Sequence, residues 1–264
     1  MTTRRPFFMA WLGGLLGLLL ALLVFAPASW LAGAVATATQ DRVRLVNASG
    51  TVWSGRADLL LTGGQGSRDQ AALPQGLRWQ LAPGLEGARP TLSLSLTAPC
   101  CTPEPLRLTW LPGWDGGQLR LAATQSQWPA ELLSGLGTPW NTLRLEGQLQ
   151  LQTPGLQAQW LSGGLALQGD LTLDAIDLAS RLSTLRPLGS YRMNFQGGTD
   201  SRQAMLTLQT LRGELQLQGS GQWLGGRLRF QGEAQAAPGR EAVLSNLMNI
   251  MGRRQGPRSV FKIG

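Results

Sequence analysis

The chain has no histidine, one lysine and two cysteines among its 264 residues. Without histidine it has no Ser/His/Asp triad, no Cys/His dyad and no zinc site that uses histidine ligands. The only lysine is Lys262, so the chain also lacks a phosphate-binding G-x-x-x-x-G-K-[ST] loop. These absences predict a protein that is not an enzyme and that holds no metal or cofactor.

Charged residues are scarce as well, at 14% of the chain, while glycine reaches 35 residues and proline 15. This composition excludes a coiled coil or a helical bundle. Apolar residues at 43% and ten tryptophans exclude a disordered chain. The net charge is +8, but arginines such as Arg107 and Arg144 occur singly along strands rather than in a stripe with aromatic residues. We therefore expect no binding of nucleic acid.

The two cysteines, Cys100 and Cys101, are adjacent and lie between Pro99 and Pro103. A disulfide between neighbours needs an unusual local backbone and closes almost no loop. Two free thiols would nevertheless be unusual in an oxidising compartment. Two interpretations stay open, a vicinal disulfide that locks a turn and a buried pair of thiols.

An apolar, uncharged segment runs from Phe7 to Phe25, directly after Arg4 and Arg5. As a helix it would be roughly 28 Å long, enough to cross the hydrocarbon core of a bilayer. The arginines before it predict a cytoplasmic N-terminus and an exported remainder. A cleaved signal peptide is the alternative, because residues 26–28 have the A-x-A form. We predict a single-pass inner-membrane anchor in residues 1–30 and a periplasmic domain in residues 31–264.

Beyond this segment apolar residues alternate with polar ones, which indicates half-buried strands with one wet face and thus an antiparallel sheet. The pattern L-x-L-x-G-x-L-x-L occurs at residues 143–151 and 165–173, and a looser version surrounds Gly213. A glycine at the centre of a strand marks a bulge, a bend or a close backbone approach. The sequence therefore predicts a curved, largely antiparallel β-sheet, with halves at 41–125 and 139–264 if it divides.

Three segments have helical spacing instead: Trp128 to Gly137, Asp177 to Gly189 and Arg240 to Gly252. Each contains the pattern L-S-x-L and ends near a glycine that suits a helix C-terminus. We expect three short helices that cover an edge or end of the sheet. The predicted fold class is thus mainly β, with one transmembrane helix, a curved antiparallel sheet and three short helices.

The carboxylates of Asp170, Asp174 and Asp177 are the only acidic cluster. In the periplasm such a cluster could hold calcium, which prefers several carboxylate oxygens. The simpler interpretation places Asp170 and Asp174 at the ends of a strand and Asp177 at the N-cap of the following helix. We predict the second arrangement.

Basic residues are densest near the C-terminus, at Arg253, Arg254, Arg258 and Lys262. This patch suits contact with an acidic partner or with lipid headgroups. Cations also favourably end a helix, so the simpler interpretation is that they complement the helix before them.

Residues 49–57 read S-G-T-V-W-S-G-R-A, and a leucine strand follows. Trp53, between Gly50 and Gly55, is a large side chain on a short strand and is interpreted as a core plug. An apolar N-terminal segment, this element, leucine-rich strands and a terminal helix and strand together resemble the general secretion pathway protein N family. The resemblance implies an inner-membrane component of the bacterial type II secretion system.

In that family the periplasmic domain would help folded exoproteins leave through the secretin, by contacts with the secretin and the inner-membrane platform. The resemblance carries over no catalytic residue. An alternative from another class is a protein of the AsmA type, whose β-groove binds or moves lipid between membranes. A sheet face lined with leucine at every second position would suit acyl chains. An open apolar face would favour the lipid alternative, and a filled core would favour protein contacts.

Overall fold

The computed structural model describes residues 5–113, 116–161, 164–198, 203–224 and 227–264. In these residues the chain forms one open antiparallel sheet of fifteen strands with a few helices, which confirms the mainly β class. The helices are α1 Arg5–Val24, α2 Ala28–Ala38, a 3₁₀ helix Ala130–Leu136, α3 Trp140–Leu143 and α4 Glu241–Met251. The strands are β1 Val43–Gly50, β2 Ser54–Thr62, β3 Gln70–Ala72, β4 Leu77–Glu86, β5 Arg89–Thr97, β6 Leu106–Gly113, β7 Gly116–Pro129, β8 Leu145–Leu161, β9 Gly164–Ser180, β10 Gly189–Gly197, β11 Gln203–Gly213, β12 Leu215–Leu224, β13 Arg227–Ala236, β14 Arg253–Gln255 and β15 Arg258–Ile263.

The sheet is a meander, in which most strands pair with their neighbours in the chain. From β4 to β13 the spatial order follows the chain order, and β15 then pairs with β13 and leaves β14 at the edge. At the other edge lies β1, and β3 pairs only with β2. Strands β7 and β8 pair across the region of residues 125–140, so the sheet is continuous there.

Strand alternation gives the sheet two chemically different faces. On the apolar face, leucines lie opposite one another across five neighbouring strands: Leu81, Leu94, Leu108, Leu121 and Leu156. On the polar face, the adjacent register positions are Ala82, Ser93, Thr109, Arg120 and Gln157. We use the names apolar face and polar face for these two sides of the sheet.

The longer connections lie at one end of the strands and carry the helices that follow β7 and β13. From α4, Leu244, Leu247 and Met248 are fully buried against a core that includes Leu215 and Ala234. A second cluster joins the 3₁₀ helix to the β5–β6 connection through Leu73, Ala98, Cys101 and Leu132. The helices thus cover this end of the apolar face, while leucines farther along the strands, such as Leu94 and Leu156, are only half-buried.

Two of the three predicted helical segments contain helix, and the third prediction is wrong. Between Asp177 and Gly189 the chain remains in strand β9 as far as Ser180, which pairs with Leu145 of β8. Asp177 has a positive φ of 50°, which a right-handed helix does not contain. Pairing with two neighbouring strands therefore overrides the helical spacing, and Asp177 has no following helix to cap.

The N-terminal region contains two helices where the sequence predicted one. Between α1 and α2 lies Pro27, whose ring stops α1 and precedes the first residue of α2. Among the described residues, no helix combines the length and the apolar character that a membrane crossing requires. The structure thus gives no support to the predicted single transmembrane helix.

Candidate functional site

The S-G-T-V-W-S-G-R-A element forms the end of β1, the β1–β2 turn and the start of β2. Gly50 has a positive φ of 98°, and a Cβ there would lie 2.5 Å from the carbonyl oxygen of Ser54. Gly55 lies against the ring of Trp79, because a Cβ at this position would be 2.4 Å from Cζ2 of that ring. The two glycines are therefore required by a tight turn and by a buried tryptophan.

Trp79 is the buried tryptophan of this region, with 2% of its surface exposed. Its Nε1–H donates to the carbonyl of Val52 at 3.0 Å, and its ring packs in a cluster with Ala28 and Ala57. Trp53 is only half-buried, and its Nε1–H donates to the carbonyl of Leu23 at 2.8 Å. The interpretation of Trp53 as a core plug is therefore wrong, and Trp79 has that role.

The same turn attaches the N-terminal helices to the sheet. Besides the Trp53 contact with α1, the amide of Val52 donates to the carbonyl of Ala26 at 2.8 Å. Pro27 and Thr51 form an isolated antiparallel bridge. The element that carried the family resemblance thus fixes the junction between α1, α2 and the first two strands.

A cleft of about 530 Å³ opens on the polar face beside this element. It runs across β1, β2, β4 and β5 and is lined mainly by hydroxyl, amide and guanidinium groups: Ser49, Ser54, Arg56, Arg78, Gln80, Ser95 and Thr97. The Nε–H of Arg56 donates to Oγ of Ser49 at 3.2 Å, which orients the guanidinium along the cleft. We call this feature the arginine cleft.

On the opposite side of the same strands lies an apolar cavity of about 320 Å³. Leu31 and Val35 of α2 form one wall, and leucines of the apolar face form the other. The polar atoms of its lining bond elsewhere: the Nε1–H of Trp128 donates to Ser126 at 2.9 Å, and Oγ1 of Thr102 donates to Ala98 at 3.1 Å. Such a lining offers no free hydrogen-bonding group to water or to a polar ligand.

Cys100 and Cys101 are joined by a disulfide in the connection between β5 and β6. The amides of Cys101 and Thr102 both donate to the carbonyl of Ala98, at 2.8 and 2.9 Å. The amide of Gln127 donates to the carbonyl of Cys101 at 2.8 Å, which ties the turn to β7. The disulfide thus lies in a tight turn that packs against β7.

Of the three aspartates, Asp170 and Asp174 lie within β9 and not at its ends as predicted, and Asp174 and Asp177 form ion pairs. Asp174 accepts from Nε and Nη2 of Arg192, both at 2.7 Å, and this hydrogen bonding raises the pKa of the arginine. Asp177 accepts from Arg212 at 2.7 Å. No group of three or more acidic or cysteine side chains in the described residues is arranged to hold a metal ion. The calcium alternative therefore finds no support there.

The basic C-terminal patch lies at the far edge of the sheet from the arginine cleft. Arg253 and Arg254 are exposed on the edge strand β14, and Arg258 pairs with Glu233 at 3.3 Å. The guanidinium of Arg254 lies 3.5 Å from the sulfur of Met248 in α4, close to the end of that helix. The structure thus separates the two groups of predicted interaction residues, since Gly50, Trp53 and Gly55 belong to the opposite edge.

Sequence reasoning missed Arg56 and Arg78 as a pair. They lie on different strands and become direct neighbours only through the pairing of β2 with β4. No spacing pattern in the sequence predicts this contact. The one feature of the sequence that could have pointed to Arg56 is its position within the S-G-T-V-W-S-G-R-A element.

Comparisons with known proteins give one family. No curated protein matches the chain, and no solved structure matches it. The model of the family described as type II secretion system protein N matches residues 41–261. This range runs from just before β1 into β15; it includes every residue that lines the arginine cleft, whereas the α2 wall of the apolar cavity lies before it. The chain therefore belongs to the type II secretion system protein N family.

Proposed function

We propose that this protein is an inner-membrane-anchored, periplasmic component of the type II secretion system. It assists export of folded exoproteins by protein–protein contacts and not by catalysis. The observation that carries the proposal is the family match over residues 41–261. Family membership by itself indicates a protein-transport component of the cell envelope, with other components of the secretion system as its partners.

Two properties of the chain support a role in contacts. The polar face offers many hydrogen-bonding side chains across neighbouring strands, as in the arginine cleft. The absence of histidine removes the commonest general acid and base. A broad sheet of this kind suits a binding surface better than a reaction site.

Attachment to the membrane is part of the proposal, and α1 supports it. Its described large apolar side chains, from Trp11 to Val24, are exposed on all sides of the helix, and Phe25 just beyond it is 74% exposed. A helix that is apolar all round is stable only in apolar surroundings, such as a protein core or lipid. The Trp53 and Val52 contacts then hold the sheet next to that helix.

A second candidate function is binding of a lipid acyl chain on the apolar face. The comparisons give it no support, since they match the secretion family. One observation favours it: the cavity under Leu31 and Val35 has an apolar lining whose polar atoms bond elsewhere. An acyl chain is the kind of ligand that such a cavity accepts.

Deletion of the gene in its own host, followed by complementation with the full chain, tests the two candidates together. The measurements are release of exoproteins into the medium and leakiness of the outer membrane to detergent. Exoproteins trapped in a sealed periplasm, and released again on complementation, are the expected result. Normal secretion with a leaky outer membrane would contradict the secretion role and favour the lipid candidate.

A further inference from the structure

The arginine cleft brings two like charges directly opposite each other. Arg56 of β2 and Arg78 of β4 are register partners, and both are exposed on the polar face. Directly opposite side chains in an antiparallel pair have Cβ atoms about 4.5–5.5 Å apart, and like charges there destabilise the sheet. A third arginine, Arg107 of β6, lies opposite Ser95 at the side of the cleft.

Some of the arginines elsewhere in the chain pair with carboxylates. Seven ion pairs of this kind occur among the described residues, and none of them includes Arg56, Arg78 or Arg107. The nearest carboxylate along β2 is Asp58, and it accepts a hydrogen bond from Asn47 at 2.8 Å. In the part of the chain that the structure describes, the lining of the cleft therefore includes two arginines and no carboxylate.

The rest of the lining adds hydrogen-bond donors and no acidic group. Two rows of side chains cross the strands, one through Arg56, Arg78 and Thr97, the other through Ser54, Gln80 and Ser95. Guanidinium, hydroxyl and amide groups can all donate to carboxylate or phosphate oxygens. The cleft is thus complementary to an anion with several acceptor oxygens.

The size of the cleft selects among anions. It spans three gaps between neighbouring strands, about 14 Å, which is the length of roughly four residues of extended chain. Its volume of about 530 Å³ is far larger than a single phosphate or sulfate ion. We propose that the arginine cleft binds an acidic, extended segment of a partner protein, a proposal that rests on the role in secretion through protein contacts.

Binding of a short polyglutamate peptide to the purified full chain tests the proposal directly. The test variant is the double substitution Arg56→Gln and Arg78→Gln. The matched control, Arg89→Gln with Arg229→Gln, removes the same charge from exposed arginines outside the cleft. A polyglutamine peptide of equal length controls for the backbone of the ligand, and inorganic phosphate tests a small anion.

We expect the cleft variant to bind polyglutamate about tenfold more weakly, or about 1.4 kcal/mol, with little change in the control variant. Binding should also weaken as salt concentration rises, since the charges are exposed. An equal loss in both double variants would mean non-specific attraction to a basic protein and would overturn the proposal. Phosphate binding as tight as that of the peptide, and lost in the same variant, would assign the cleft to a small anion instead.

Complementation of the deletion strain separates this proposal from the proposed function. If the cleft variant accumulates to the normal level but restores exoprotein release poorly, while the control variant restores it fully, the cleft is the contact surface. Full restoration by the cleft variant would overturn the cleft proposal and leave the secretion role intact. Normal secretion in the deletion strain itself would instead contradict the secretion role.

Discussion

Gly55→Ala is the substitution that most directly tests how the family element is built. Gly55 does not have a positive φ, so alanine can adopt its backbone conformation. The new methyl group would lie 2.4 Å from Cζ2 of Trp79 and 2.7 Å from the carbonyl oxygen of Ser49. Neither neighbour can move easily, because the ring is 2% exposed and the carbonyl belongs to the paired strand.

The expected loss of stability follows from three contributions. Overpacking of a buried site costs about 1–3 kcal/mol. A shift of the indole would weaken the hydrogen bond from Trp79 to Val52, worth about 1 kcal/mol. Replacing glycine by alanine lowers the conformational entropy of the unfolded chain, which stabilises the folded state by about 0.4–1 kcal/mol. The free energy of unfolding should therefore fall by about 1–3 kcal/mol.

Urea unfolding followed by circular dichroism measures this loss as a lower midpoint with an unchanged slope. The neighbouring substitution Ser54→Ala is the control, since Ser54 is exposed, and it should change the stability by no more than about 0.5 kcal/mol. A double-mutant cycle with Trp79→Phe isolates the contact, because phenylalanine lacks the outer ring of the indole. The double variant should lose less stability than the sum of the losses of the two single variants, with a coupling energy of about 0.5 kcal/mol or more.

Strict additivity in this cycle would refute the reasoning. It would mean that the methyl group at residue 55 and the ring of Trp79 do not compete for the same space. A stability of Gly55→Ala equal to that of the unchanged protein would refute it as well, since distances of 2.4 and 2.7 Å leave no room for an added carbon.

Two further predictions concern the other end of the sheet. Burial raises the pKa of Tyr191, the only tyrosine, whose hydroxyl donates to the carbonyl of Leu215 at 2.9 Å. Above about pH 10 the unfolded state loses the phenolic proton while the folded state keeps it, so the free energy of unfolding should fall as the pH rises. Phenolate absorbance should therefore appear only when the protein unfolds. Titration of Tyr191 with an ordinary pKa in the folded protein would contradict this. In α4, Leu247→Ala should cost about 2–5 kcal/mol in urea unfolding, while Ile250→Ala, at a residue that is 39% exposed, should cost about 0.5 kcal/mol or less. Equal losses would mean that α4 is not docked by its Leu247 face.

Period-two alternation predicted the long strands because they have one apolar and one polar face, as in β4 to β8. The central glycines were informative as well. Gly147 lies at a register shift between β8 and β9 and has a positive φ of 129°. At Gly213 an added Cβ would lie 2.3 Å from Cα of Gly189, a close backbone approach. At both positions the backbone requires a glycine for a local reason, which is why the sequence alone could predict the irregularity.

Helical spacing was a less reliable guide. The segment from Asp177 onward has the same L-S-x-L pattern as α4, yet Leu178 pairs with Gly189 in the sheet. In α4, by contrast, Leu244 and Leu247 are buried in a core beside β12 and β13. The spacing of apolar residues indicates only which side chains would share one face of a helix. Whether a helix can pack there against the sheet depends on residues far away in the chain.

The arginine cleft could not be predicted from the sequence for the same reason, because it depends on contacts between distant residues. The S-G-T-V-W-S-G-R-A element beside it contributes to both faces of the sheet. Gly55 points toward Trp79 on the apolar face, while Arg56, the next residue, points to the polar face and lies opposite Arg78. A change at Gly55 should therefore reduce stability through the core, whereas Arg56→Gln should leave the core intact and weaken binding of an acidic partner. Because adjacent residues of a strand face opposite sides, these neighbouring substitutions can separate the structural role of the element from its role in recognition.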